Sequence, residues 1–368
     1  MYKCISGDCM KKVLRIFLLA FLALIVIVGG YASYLTFNYY RIEDNKVNNI
    51  DNNDGLQTIK IDAEYSILTY NIGFGAYSQD FSFFMDGGKD SKAKSKKDVI
   101  KNTNGVITTL QEKNPDFILL QEVDVDSTRS YHVNQDRSIY KKFEGYAHAF
   151  STNFHSGFLF YPIFDPHGSV ESGLSFMSKY KIESSVRRSL PVDNGWPTKF
   201  FDLDRAMQVN RFNIEESTKQ LVIINAHFSA YDEGGIIRKK QFNMLNAILK
   251  EEKAKGNYVI VGGDFNHDLL NEEKSSFTNQ PTPDWVQVFP ETDLNDGYSV
   301  VKVDNAPTVR STDIAYDSKS IGKDKKNYFA VIDGFIKSDN IEISLKENIN
   351  LEFMNSDHNP VYVKFILK

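Results

Sequence analysis

The chain has 368 residues, a formal net charge of −5, 42% hydrophobic and 25% charged residues. That balance excludes a disordered polyelectrolyte and allows one large core plus an appendage, while the acidic sign argues against a broad nucleic-acid-binding face. Both cysteines, Cys4 and Cys9, stand near the N-terminus, so no disulfide staples the rest of the chain.

In chain order, the first predicted element is a membrane span. Residues 16–40, IFLLAFLALIVIVGGYASYLTFNYY, carry no charge, and about 20 apolar helical residues suffice to cross a bilayer core. Lys3, Lys11, Lys12 and Arg15 precede this run, whereas Arg41, Glu43, Asp44 and Lys46 follow it. The positive-inside bias then places residues 1–15 in the cytoplasm and everything after the span outside the cell, as a single-pass cell-membrane protein. A cleaved signal peptide, with Gly30 and Ala32 as a small-residue cleavage pair, is the competing reading. The apolar run is longer than a usual signal core, which favours an uncleaved anchor.

Residues 41–64, RIEDNKVNNIDNNDGLQTIKIDAE, are rich in Asn and Asp and read as a linker. From Tyr65 onward short apolar runs recur: YSILTYNIG, DFILLQEV, GLSFMS, DRAMQVNRFNI, QLVIINAHFS, NYVIVGGDFN, YFAVIDGFI and NPVYVKFIL. Each has strand character. Two segments have helical spacing: residues 97–113 through Val99, Val106, Ile107 and Leu110, and GGIIRKKQFNMLNAILKEEKAKG through Ile237, Gln241, Met244, Leu245, Ile248 and Leu249, with Gly256 as a stop. Strands interleaved with few helices predict an α/β fold of two packed sheets with helices outside. Residues 78–97 read as a surface loop with a basic tail. The aromatic stretch 150–168, FSTNFHSGFLFYPIFDPHG, reads as a core or edge strand, with a lipid-facing or substrate-facing rim as the alternative.

Chemistry-bearing residues recur where these runs end. Asn71 follows ILTY, Glu122 follows FILLQ, His227 follows VIINA, and Asp264 and Asn266 follow VIVGG. Asp333 sits in VIDGFI, and Asp357 and His358 open the last run in NSDHNPVYV. Each alone could be a turn or capping residue. Together they would converge on one rim, where like-charged acids call for a cation. Carboxylate and carboxamide oxygens without cysteine favour Mg2+, Mn2+ or Ca2+ over zinc. The GFGAYS segment imitates a dinucleotide-binding loop but is followed by no clear helix, so it is set aside. His132, His148, His155, His167 and His267 receive no role, and His267 with Asp268 is expected only to cap a turn.

The ordered series TYNIG, LLQEVD, NAHF, GGDFN, IDGFI and SDHNPV, spread over residues 65–368, resembles the metal-dependent endonuclease/exonuclease/phosphatase superfamily with its deoxyribonuclease-I-like fold. The resemblance implies a catalytic domain over 65–368 built as a four-layered sandwich of two mixed sheets flanked by helices. It also implies Glu122 as main metal ligand with Asn71 and Asp357 nearby, and Asp264 as the acid that positions or deprotonates water. Asn266 would hold the scissile phosphate, His358 oriented by Asp333 would form a catalytic dyad, His227 would meet the phosphate or leaving group, and Arg205 would add a phosphate contact.

The expected function is a membrane-anchored, extracellular, divalent-metal-dependent phosphoester hydrolase acting on a phosphodiester or phosphomonoester. Its substrate would be a lipid headgroup, a nucleic acid or a small phosphate ester, and no obligate protein partner is evident. An extracellular nuclease and a sphingomyelinase-like phospholipase are the alternatives within that class. A non-catalytic binding module is the contrasting one, disfavoured because every expected acid position is filled.

Overall fold

The computed structural model describes residues 7–368, apart from 55, 201–203, 231 and 273. Lys3 and Cys4 lie outside the described residues. The leading helix α1 (Gly7–Asn38) contains a stretch, Cys9–Asn38, long and apolar enough to cross a membrane.

Two seven-stranded sheets follow. One runs in the order β15 (Ile341–Asn348), β16 (Val361–Leu367), β3 (Glu64–Asn71), β4 (Phe117–Asp124), β6 (Gly168–Ser178), β5 (Ala147–Leu159) and β2 (Ile50–Asp51). The other runs β1 (Lys46–Val47), β7 (Ser184–Ser189), β8 (Ala206–Asn213), β9 (Gln220–His227), β10 (Tyr258–Asp264), β14 (Asp333–Ser338) and β11 (Tyr298–Val300). A ribbon of β12 (Val309–Arg310) and β13 (Phe329–Ala330) lies apart from both.

Within the sheets, β3 with β4 and β9 with β10 are parallel pairs. Parallel neighbours need a crossover, and helices supply it: α2 (Lys96–Lys113) links the first pair and α4 (Ile236–Ala254) the second. A short α3 (Gln135–Tyr140) follows β4. Helix α2 starts where the Ser95 hydroxyl accepts from the Asp98 amide and ends at left-handed Asn114.

Strand alternation sorts the side chains into three apolar layers. Tyr65 and Ile67 of β3, Phe117 and Leu119 of β4, Leu221 and Ile223 of β9 and Tyr258 and Ile260 of β10 meet between the sheets. Their neighbours Leu68, Ile118 and Leu120 pack under α2, while Val222, Val259 and Val261 pack under α4 with Phe242, Leu245 and Leu249. The result is the four-layered sandwich expected from the sequence.

Three segments differ from expectation. Gly262 and Gly263 do not end their strand, because β10 continues in register to Asp264. They are glycines for close packing: a Cβ on Gly262 would lie 2.4 Å from the Phe335 ring, and one on Gly263 would lie 1.9 Å from the Ala226 carbonyl oxygen. Residues 41–64 are not a free tether either. Their few apolar residues find partners: β1 and β2 extend one edge of each sheet, and Ile59 is fully buried in the inter-sheet core. Buried Arg187 donates through Nη1 to the carbonyls of Ile42 and Glu43 at 3.2 and 3.1 Å. Arg41 pairs with Asp204 at 2.7 Å. Segment 78–97 is likewise partly inside, with Phe81 and Phe83 packed on Phe74 and Tyr77.

Gly263→Ala should destabilise the fold by about 3 kcal/mol or more, since the added methyl meets backbone at a positive φ. A urea midpoint unchanged from the parent would contradict this account of the glycine pair.

Candidate active site

Alternation continues past the apolar core toward one end of the sandwich, and there the inter-sheet residues become polar. Thr69, Gln121 and Asn225 form a first layer, in which Gln121 Nε2 donates to Asn225 Oδ1 at 2.7 Å and to Thr69 Oγ1 at 3.0 Å. Asn225 Nδ2 donates in turn to the Leu120 and Ser175 carbonyls at 3.1 and 3.2 Å. A buried layer with its donors satisfied is rigid, and it separates hydrocarbon from charge.

Beyond that layer, strand register assembles the acids and histidines. Asp264 is paired with His227 on one side and Asp333 on the other. Asn71 crosses from the opposite sheet: its Nδ2 donates to Asp264 Oδ2 at 3.0 Å and to Glu122 Oε1 at 3.3 Å. Glu122 occupies a break in the β4–β6 register, between Leu120 and Val123, with φ +53°. Asn266 is also left-handed, at φ +48°. Asparagine adopts that conformation at little cost, whereas a glutamate in it is strained, a feature that recurs at functional sites.

His358 Nδ1 lies 2.8 Å from Asp333 Oδ2, and its Nε2 points toward Asp264 Oδ2 at 3.8 Å. His227 Nε2 stands 3.6 Å from Asp264 Oδ2 and 3.9 Å from Glu122 Oε1. Arg205 Nη1 contacts His227 Nε2. The guanidinium donates to Nε2 and Asn153 Nδ2 lies 3.4 Å from Nδ1, so both ring nitrogens face donors, which disfavours the doubly protonated imidazolium. Asn266 holds Asp264 Oδ1 with its backbone amide at 2.9 Å and donates from Nδ2 to the Phe228 carbonyl at 2.8 Å. One Nδ2 hydrogen is left over. Ser356 Oγ ties the last motif down through the Asn71 carbonyl at 2.8 Å. All nine residues singled out from the sequence, Asn71, Glu122, Arg205, His227, Asp264, Asn266, Asp333, Asp357 and His358, thus meet at one end of the sandwich.

These groups shift one another. Burial and the Asp333 charge push the Asp264 carboxyl up to about 6. Burial, reinforced by Glu122, pushes Asp357 up to about 7 against the pull of His358. His227 is driven well below 6.5 by burial and by Arg205. Burial would depress His358 too, but Asp333 and Asp357 lift it well above 6.5. One histidine is therefore neutral and the other protonated near neutral pH.

The donor set fits a hard divalent cation. Glu122 and Asp357 offer carboxylate oxygens, Asn71 turns Nδ2 to the acids and keeps one Oδ1 lone pair beside the Gly73 amide, and two acids have raised proton affinity, as acids do without a compensating charge. Asp264, Asp333 and His358 also present ligand atoms within 4.8 Å of one another. Since His358 Nδ1 is hydrogen-bonded to Asp333, that trio reads better as an acid–imidazole pair facing a carboxylate.

Several supports escaped the sequence reading. Arg238, buried in α4, donates through Nη1 to the Asn266 carbonyl at 3.0 Å and holds that loop. Arg129 pairs with Asp124 at 2.8 Å and lies 3.8 Å from the Phe74 ring centroid. The Arg310 amide donates to the Asp357 carbonyl at 3.0 Å. The GFGAYS glycines also find a use: a Cβ on Gly73 would approach Asp357 Oδ1 to 3.0 Å, and the Gly73 amide donates to Asn71 Oδ1 at 3.0 Å. His267 and Asp268 cap locally, as expected.

Asp357 titrates at about 7 in the fold against an ordinary 3.8. Its contribution to stability is therefore complete below that ordinary value and lost as pH rises through about 7, where the ionised acid burdens the metal-free protein. Asp357→Asn should accordingly raise the metal-free melting temperature at pH 8. In the parent, Mg2+ affinity should climb with pH by up to roughly tenfold per unit below the titration point, because a proton must leave. Calorimetry showing the same affinity at pH 6 and pH 8 would remove Asp357 from the ligand set.

Comparison with curated protein sequences returns no match. The chain is similar in structure to ANGEL2, a 2',3'-cyclic phosphatase, in complex with adenosine-2',3'-vanadate, at 15% identity and TM-score 0.53 over 87% of this chain and 98% of that one. It is similar to an endonuclease/exonuclease/phosphatase from Beutenbergia cavernae, at 16% identity and TM-score 0.52 over 83% and 72%. The human Nocturnin catalytic domain with bound sulfate anion matches at 15% identity and TM-score 0.52 over 87% and 98%. Likeness at such identities speaks for the fold alone. Residues 68–312 match the model of the Endonuclease/Exonuclease/phosphatase family, and the chain belongs to that family.

Proposed function

We propose that this protein is a divalent-metal-dependent phosphoester hydrolase, anchored in the cell membrane by α1 with its catalytic domain outside. The observation that carries the reading is the meeting of Asn71, Glu122, Asp264, Asp333, Asp357, His227 and His358 at one end of the sandwich. Asn71, Glu122 and Asp357 would hold the cation, Mg2+ by donor chemistry with Mn2+ or Ca2+ as substitutes. When bound, such an ion supplies charge neutralisation on the non-bridging phosphoryl oxygens.

The remaining steps belong to the chain. Asp264, with a carboxyl near 6, suits the removal of a proton from water at neutral pH. The water oxygen attacks phosphorus, one ester P–O bond breaks, and the departing oxygen takes up a proton. Asp333 keeps the His358 imidazole protonated and aimed, so that His358 balances charge developing on the phosphoryl group. Neutral His227, held by Arg205, and the free Asn266 hydrogen bind the oxygens of phosphate or leaving group. Arg205 adds a fixed positive charge nearby.

The full chain in detergent should cleave bis(p-nitrophenyl) phosphate or p-nitrophenyl phosphate with Mg2+ and stop on addition of EDTA. His358→Ala should lower the rate by at least ~100-fold, the usual scale of acid–base and charge-stabilising side chains. Absence of turnover on diester and monoester alike, with Mg2+, Mn2+ and Ca2+ each supplied, would end the proposal.

A further inference from the structure

The candidate site opens into a cleft of about 1230 Å³ whose far end is apolar. That end is formed by Phe84, Met85, Phe160, Tyr161 and Ile163, and it is closed by Tyr31 of α1. The loop after β5 is the exposed part: Phe160 is 55%, Tyr161 68%, Ile163 77% and Phe164 100% accessible. Four large apolar side chains within the five residues 160–164 form an exposed apolar patch, the mark of an interaction surface.

The loop is fastened to α1 at a defined height. Tyr31 Oη donates to the Phe158 carbonyl at 3.1 Å, the Phe158 amide donates to Tyr34 Oη at 3.1 Å, and the Tyr31 and Phe160 rings meet edge to face at 5.1 Å. From Arg15, the last charge before the apolar run, Tyr31 lies about 24 Å along the helix axis, inside the ~30 Å thickness of a bilayer core. A loop bonded to Tyr31 then sits at the outer boundary of that core, where aromatic side chains are most at home. The packing of residues 41–43 on Arg187 and Asp204 removes the slack that would let the domain swing away.

We infer that residues 160–164 form a wedge immersed in the outer leaflet, and that the cleft takes a phospholipid of the same membrane, its phosphodiester at the acid–histidine cluster and its acyl chains along the aromatic end. This inference rests on the reading of the site as a phosphoester hydrolase and of α1 as a span. Hydrolysis adds a hydroxyl to phosphorus, and the displaced alcohol leaves with the proton.

The test uses the full chain in vesicles of phosphatidylcholine, phosphatidylglycerol and sphingomyelin. Phe164→Trp should add blue-shifted emission that brominated phosphatidylcholine quenches, relative to the parent. Added emission that is water-like and unquenched overturns the wedge. Phe164→Asp, outside the cleft lining, should lower vesicle phospholipid hydrolysis by about tenfold or more while soluble bis(p-nitrophenyl) phosphate turnover stays within about twofold. Unchanged lipid hydrolysis in this variant overturns the inference. A parent that cleaves DNA, RNA or the soluble diester but no vesicle phospholipid overturns the substrate while leaving the hydrolase reading intact. A parent that cleaves nothing overturns both the hydrolase reading and the lipid substrate, and the quenching arm still decides immersion.

Discussion

Two sheets that pack face to face leave side chains of one alternation only the space between them. Along β3, β4, β9, β10 and β14 that space is filled with Tyr, Ile, Leu and Phe over most of its length. The same alternation then delivers Asn71, His227, Asp264 and Asp333 to its end without any further device. The core and the candidate site are therefore one structure read at two depths. The Thr69, Gln121 and Asn225 layer is the junction between them, and it lets charges be held rigidly one strand residue away from hydrocarbon.

The site is also electrically divided. His227 faces Arg205 and is kept neutral, while His358 faces Asp333 and is kept protonated. Identical side chains are thereby given opposite characters within one cleft, which is how a fixed scaffold supplies both an acceptor and a cation at a single pH. The acids complete the pattern. Asp264 and Asp357 hold protons more tightly than free carboxyls do, so ionising them without a cation costs folding free energy.

Much of this was legible in the sequence. Strands bearing the site are unbroken apolar runs because both faces of each sheet are covered, and the residues closing those runs stood out as acids and amides in an apolar context. Strands at or next to a sheet edge were less visible. β15 alternates exposed charges such as Glu342 and Lys346 with few apolar residues, and β7 is mostly Ser and Arg because Arg187 is satisfied by carbonyls that only folding brings near. Arg238 is the clearest miss: nothing in IIRKKQ sets it apart from Lys239 and Lys240, yet it is buried and anchors the Asn266 loop. The linker misled for a related reason. Its Asn and Asp content is that of a flexible segment, but Ile50 and Ile59 suffice to pin it to the sheets. No local pattern announces partners more than a hundred residues away.

The left-handed backbone at Glu122 carries one more implication. A glutamate there is held in a conformation that glycine or asparagine would adopt at lower cost, by about 1–3 kcal/mol. Folding alone would replace it. Repeated rounds of laboratory selection for heat tolerance, with no demand for turnover, would relax this position early, and the survivors would be sturdier proteins deprived of their central carboxylate.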